Sequence, residues 1–204
     1  METSLQQHWE TVYQTKTPQQ VSWTEEVPAQ SLAMIQALQL PKDAAIADID
    51  GGDSKLVDHL LALGYSNLTV VDISAAALER AKARLGAAAN QVHWVVSNVL
   101  DYQPAQPLAL WHDRAAFHFL TDPADVQRYL QVLQQAVQGH VIIAAFSTDG
   151  PAKCSGLPVQ QYHEGALCQL LSPVFDKLSC DQVTHVTPSA ARQAFLYCGF
   201  RKRV

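Results

Sequence analysis

Short, continuously apolar runs alternate along this chain with longer stretches whose apolar positions recur every three or four residues. The runs "AAIADI", "NLTVVDIS", "QVHWVVSNV", "LALWHD" and "HVIIAAFS" have the length of strands. The second is apolar at successive positions, as a strand buried on both faces must be. Helical spacing marks the stretches around them. "PAQSLAMIQALQL" places Leu32, Ile35, Leu38 and Leu40 on one side and stops at Pro41. "DSKLVDHLLALG" predicts a helix starting near Asp53 or Ser54, both good caps, and ending at Gly64. Ser74 caps "AAALERAKARLG", which ends at Gly86. Asp122-Pro123 opens "DPADVQRYLQVLQQAV" with a cap and a proline at the first helical position, and the helix closes near Gly139. "EGALCQLL" is a further helix.

Strands alternating with helices imply right-handed βαβ units and a parallel sheet covered on both faces. The end of the chain breaks that rhythm. "FDKLSCDQVTHVTP" and "ARQAFLYCGFRKR" are strand-like runs joined by a few residues, too few for a crossover helix, so they pair antiparallel. The predicted fold is α/β, a Rossmann-like doubly wound sheet of seven strands, mostly parallel with a C-terminal antiparallel hairpin. No repeat, low-complexity tract or linker interrupts the 204 residues. A single domain is expected, with an N-terminal lid or wrap over 1–28, a ligand-binding core over 44–150, and an active-face loop, helix and hairpin over 151–204.

Composition narrows the function classes. A formal net charge of −5 argues against a surface that tracks phosphates, so nucleic acid is a poor partner. The start lacks a basic segment followed by an apolar core, and no apolar run approaches the roughly 20 residues of a membrane helix. Cys154, Cys168, Cys180 and Cys198 are widely spaced without a CxxC pair, which suggests neither a disulfide framework nor a zinc site and suits a reducing cytoplasm. Each reads as a small buried hydrophobe.

Ligands of doubly wound sheets bind beyond the carboxyl ends of the strands. Here the first strand runs into Asp48-Ile49-Asp50-Gly51-Gly52, a turn in which glycines let the backbone approach a ligand. The second strand ends in Asp72, roughly 20 residues on, the spacing of a carboxylate that accepts both hydroxyls of a ribose. An adenosine-containing ligand is expected. The third glycine of a dinucleotide cradle is missing, as is a Walker motif, so a nicotinamide-dependent reductase and a triphosphate site are disfavoured.

With these motifs in order, the sequence resembles the class I, seven-stranded S-adenosylmethionine-dependent methyltransferases over nearly its whole length. "ADIDGGDS", "VVDIS", "VVSNVLDY" and "LALWHDRAAFHFLTD" stand for the four family motifs, and the terminal hairpin is also that family's. "HWETVYQTKTPQQVSW" is similar to the N-terminal signature of a subgroup related to protein-lysine methyltransferases. The resemblance implies that Asp48 stabilises the turn and reaches the methionine amino group. It implies that Gly51 and Gly52 admit the cofactor backbone, that Asp72 with Ile73 holds the ribose, and that Asn98 and Val99 sit at the adenine edge. Asp113 would lie near the methionine end or the substrate. Trp9, Tyr13 and Trp23 suit a lid over the cofactor, and equally a structural wrap.

Methyl transfer from a sulfonium is an in-line displacement, so the protein aligns the acceptor and excludes water. An amine or hydroxyl acceptor must lose a proton, for which His118, His112 and Asp113 are the candidate bases. Each has a plainer reading, His118 as a satisfied core residue and Asp113-Arg114 as an ion pair. His112 and His118 lack the partnered carboxylates of a metal site, so no metal is expected. The long loop "STDGPAKCSGLPVQQYH" suggests a functional loop carrying Lys153 and Cys154. The acceptor is expected to be a small molecule or a protein side chain. Asp50 complicates this reading, because the subgroup has glycine there. It places a carboxylate near the methionine end and predicts weakened cofactor binding, and at the extreme a pseudoenzyme that works by binding a partner.

Overall fold

The computed structural model describes residues 2–203, so Met1 of the expected lid and Val204 lie outside the described residues. The chain opens with helices α1 (Glu2–Thr15) and α2 (Ala29–Ala37). Strands and helices then alternate as β1 (Ile46–Ile49), α3 (Leu56–Ala62), β2 (Leu68–Asp72), α4 (Ala75–Leu85) and β3 (Val92–Val96). Next come β4 (Leu108–Arg114), α5 (Pro123–Ala136) and β5 (Val137–Phe146). The chain closes with the short β6 (Lys153–Cys154) and β7 (Leu157–Pro158), helix α6 (Glu164–Leu171), and the long β8 (Phe175–Val186) and β9 (Arg192–Lys202).

Seven strands form one sheet in the order β3-β2-β1-β4-β5-β9-β8. The first five are parallel to one another, while β9 pairs antiparallel with both β5 and β8. The predicted fold class is therefore the observed one. Strand alternation divides the core between two layers. Ile46, Val70, Leu110 and Ile142 face the helices α2 and α3, while Ala47, Val71, Trp111 and Val141 face α5 and α6. Strand order reverses between β1 and β4, and that switch point opens the crevice that the topology assigns to a ligand.

Several local expectations need correction. Helix α3 begins at Leu56, later than the caps suggested. Ser54 still accepts from the Leu56 N–H at 3.2 Å, but a turn over 50–55 intervenes. Gly139 does not close α5. The helix passes directly into β5, and Gly139 lies within that strand where the β4–β5 register shifts. A methyl group on Gly139 would run into the Ala109 carbonyl oxygen of the neighbouring strand. Gly139→Ala is therefore expected to destabilise the protein by about 1–3 kcal/mol, read as a lower thermal midpoint.

The cysteine reading also changes. Cys180 and Cys198 lie opposite each other on β8 and β9 and form a disulfide, whereas Cys154 and Cys168 are free thiols. Their separation of 18 residues hid the pair in the sequence, because only the hairpin register brings them face to face. Among the described residues no helix is long and apolar enough to cross a membrane.

Candidate active site

Asp48 and Asp72 stand at the carboxyl ends of adjacent parallel strands, and the turn after β1 lies between them. Helix α4 fixes that turn from below. Arg84 donates to the Asp53 carbonyl at 2.7 Å, to the Ser54 carbonyl at 2.8 Å, and to the Asp58 carboxylate. Gly52 has φ +49 and faces the Tyr13 hydroxyl, which would lie 2.5 Å from an added Cβ. A Cβ on Gly51 would come within 2.7 Å of Asp48 Oδ2. Both glycines are thus required by close approach. Asp50, at φ +47, occupies the same left-handed region with a side chain, a conformation that costs most residues free energy.

The turn borders a cavity of about 680 Å³. Asp48, Asp50, Gly51, Asp72, Ile73, Asn98 and Val99 line it, as do Trp9, Tyr13, Trp23 and His112. Gly52, Asp113 and His118 are not among the lining residues, and neither is the exposed Lys153. Asp113 is fully buried and accepts from the backbone N–H groups of Ala116 and Phe117 and from the Tyr129 hydroxyl at 2.6 Å. It organises the bend after β4. It does not pair with Arg114, which instead reaches Glu25. His118 is also fully buried, and its Nδ1 accepts from the Phe146 N–H. Burial, assisted by the Arg114 charge, pulls its pKa down to about 3, so the ring is neutral.

His112 is held at both ring nitrogens. Nδ1 lies 2.7 Å from Asp48 Oδ1, and Nε2 lies 2.8 Å from the hydroxyl of Ser31 on α2. The second oxygen of Asp48, Oδ2, is buried and has no partner. Asp72 is tied differently, with Oδ1 accepting from the Ser74 N–H at 2.7 Å. Burial raises its pKa to about 7 against the opposing effect of the Ser74 and Gly52 N–H groups. Burial raises Asp50 well above the carboxylate range, and Asp72, Asp113 and Asp48 push it the same way. Asn98 spends its Oδ1 on the Leu100 N–H at 2.9 Å, capping a short turn and leaving its amide N–H₂ and one lone pair.

An aromatic cluster covers this site. Trp9 packs edge-on against Phe119 at 5.1 Å and Trp23 at 5.7 Å, and Tyr13 meets Trp23 at 6.1 Å. Helix α1 is latched to α4 by Glu10, whose carboxylate accepts from the Ser74 hydroxyl at 2.7 Å and the Ala76 N–H at 3.2 Å. A carboxylate at a helix N-terminus complements the helix dipole. Sequence reasoning passed over Ser31, Thr24 and Glu25, which line the cavity from the N-terminal segment without any local pattern to mark them, and Phe119, which lies within the fourth motif beside His118.

A seven-stranded sheet of this order thus carries Asp48 and Asp72 at the carboxyl ends of two adjacent strands, beside a glycine turn. Residues 46–139 match the family model of a methyltransferase domain. A methyltransferase from Anabaena variabilis described as dependent on S-adenosylmethionine shares the fold at TM-score 0.79 and 16% identity, covering 99% of this chain and 95% of its own. The 1,6-didemethyltoxoflavin-N1-methyltransferase of Burkholderia thailandensis, with its substrate and S-adenosylhomocysteine bound, gives 0.72 at 19% identity over 98% and 88%. The N-methyltransferase NodS of Bradyrhizobium japonicum, with S-adenosylhomocysteine, gives 0.62 at 16% over 88% and 90%. No curated protein sequence matches the chain.

Proposed function

We propose that this chain transfers a methyl group from S-adenosylmethionine to a small molecule. The observation that carries the reading is Asp48 Oδ2, a buried carboxylate oxygen without a partner beside a glycine turn that admits a backbone-close ligand. An ammonium group satisfies such an oxygen, and the cost of leaving it bare explains why a ligand belongs there. Asp72 is the counterpart for a ribose, and Asn98 and Val99 for an adenine edge. S-adenosylmethionine supplies the activated methyl group when bound.

The chain's own residues then orient the acceptor and exclude water. Trp9, Tyr13, Trp23 and Phe119 close the cavity, and dry walls strengthen the electrostatics inside. Among the three side chains expected as bases, His112 is the one that lines the cavity, and it can exchange protons only with Asp48 or Ser31. A volume of about 680 Å³ must hold both cofactor and acceptor, which favours a small acceptor over a protein segment. The neighbour with 1,6-didemethyltoxoflavin bound acts on a small molecule, which is consistent with this reading. A lysine acceptor rests on the N-terminal resemblance alone.

Titration calorimetry with S-adenosylmethionine and S-adenosylhomocysteine tests the reading. Both are expected to bind the wild-type chain saturably, and Asp72→Ala is expected to lose at least tenfold in affinity. No heat from either ligand with wild type, and micromolar binding with Asp50→Gly, would overturn the enzyme reading for this chain.

A further inference from the structure

Three sulfur atoms meet where α6 packs against β8. Cys180 and Cys198 are joined across β8 and β9, with their Cα atoms 4.1 Å apart. Cys168, on α6, is a free thiol whose Sγ lies within 4.8 Å of Cys180 Sγ. The Glu164 carboxylate lies within the same distance of both sulfurs and pairs with the Lys177 ammonium. Three of the chain's four cysteines thus share one place in the fold.

Exposure ranks the three. Cys198 is fully buried, while Cys168 and Cys180 are partly exposed. A small thiolate from solvent therefore meets the disulfide at Cys180 and not at Cys198. Cys168 faces that same sulfur from within the fold, as an intramolecular partner at high effective concentration. The thiolate is the nucleophile in such exchange. Burial raises the Cys168 pKa, the Lys177 charge opposes the rise, and Glu164 adds to it.

We infer that Cys168, Cys180 and Cys198 form a thiol–disulfide exchange relay through which the buried hairpin disulfide is made and broken. In the making direction, the Cys168 thiolate attacks a low-molecular-weight disulfide, forming a mixed disulfide and releasing one small thiolate. The Cys180 thiolate then attacks Cys168 Sγ, forms the Cys168–Cys180 bond and expels the second small thiolate. Cys198 attacks Cys180 Sγ, and the electron pair of the broken bond returns to Cys168. One small disulfide is reduced to two thiols, Cys180 and Cys198 are oxidised, and their two protons go to the departing thiolates. Cys168 ends as it began, and breaking the bond runs the same steps in reverse. The relay is independent of the methyltransferase reading. It lies one residue from Tyr197, whose hydroxyl accepts from Arg114 in the cavity wall.

The test exposes the full chain, reduced and freed of reductant, to glutathione disulfide, with alkylation at timed intervals and peptide mass mapping. Wild type is expected to form Cys180–Cys198 at least about fivefold faster than Cys168→Ser. Cys198→Ser is expected to accumulate the Cys168–Cys180 disulfide, the intermediate of the relay. Equal rates in wild type and Cys168→Ser overturn the inference, as does a wild type that forms no Cys180–Cys198 bond. A folded Cys198→Ser that carries glutathione on Cys168 and Cys180 separately, with no bond between them, also overturns it. Should the buried Cys198→Ser fail to fold, the rate comparison with the partly exposed Cys168→Ser decides alone.

Discussion

Asp50→Gly is expected to raise the affinity for S-adenosylmethionine about tenfold or more, and to raise the thermal midpoint as well. Two effects act together. The left-handed backbone at φ +47 suits glycine and strains aspartate, at a cost on the order of 1–3 kcal/mol. The carboxyl also stands among Asp48, Asp72 and Asp113, which with burial hold it well above its usual pKa. When it ionises it opposes a cofactor carboxylate, and at about 4 Å and an effective dielectric of 20 such a pair costs on the order of 4 kcal/mol. The cofactor's ammonium and sulfonium offset part of that. The electrostatic part of the gain should therefore grow as pH rises and Asp50 ionises. A loss of affinity in Asp50→Gly would instead make Asp50 a ligand contact.

Asp113→Ala is expected to cost about 3–5 kcal/mol of folding stability, measured as a shift in the urea midpoint. It strands two backbone N–H groups and the Tyr129 hydroxyl, which also accepts from the Trp111 indole at 2.9 Å. Asp113→Asn should cost less, because its carbonyl oxygen still accepts. The pair also separates structure from ionisation. Burial raises Asp113 to about 6 and Asp72 to about 7, above their unfolded values. The folded state then binds more protons than the unfolded state between roughly pH 4 and 7. Stability should fall as pH rises through this window, and Asp113→Asn should flatten the part of the fall near pH 6.

How much of this was legible in the sequence depends on range. Ser74 and Asp122 cap helices as expected, because capping is decided within three residues. The doubly wound sheet followed from alternation, and Asp48 and Asp72 followed from strand ends. Asp113 and His118 looked like site residues because they lie at and just beyond the end of β4, yet both are buried and neither lines the cavity. Chain position placed them near the site, and side-chain direction was not encoded locally. Ser31 lies on α2, while Thr24 and Glu25 lie between α1 and α2, and all three reach the cavity only through packing. The disulfide partners meet through the register of a hairpin whose strands run 12 and 11 residues.

The latch of α1 on α4 has a kinetic meaning. Tyr13 rests on Gly52, and Glu10 pins the helix where α4 begins, so the first turns of the chain stand across the way out. If a ligand held against Asp72 leaves past α1, that latch sets the rate of its release. Turnover would then keep the time of a door, and loosening Glu10 would quicken the exchange of spent cofactor with little change in the chemistry behind it.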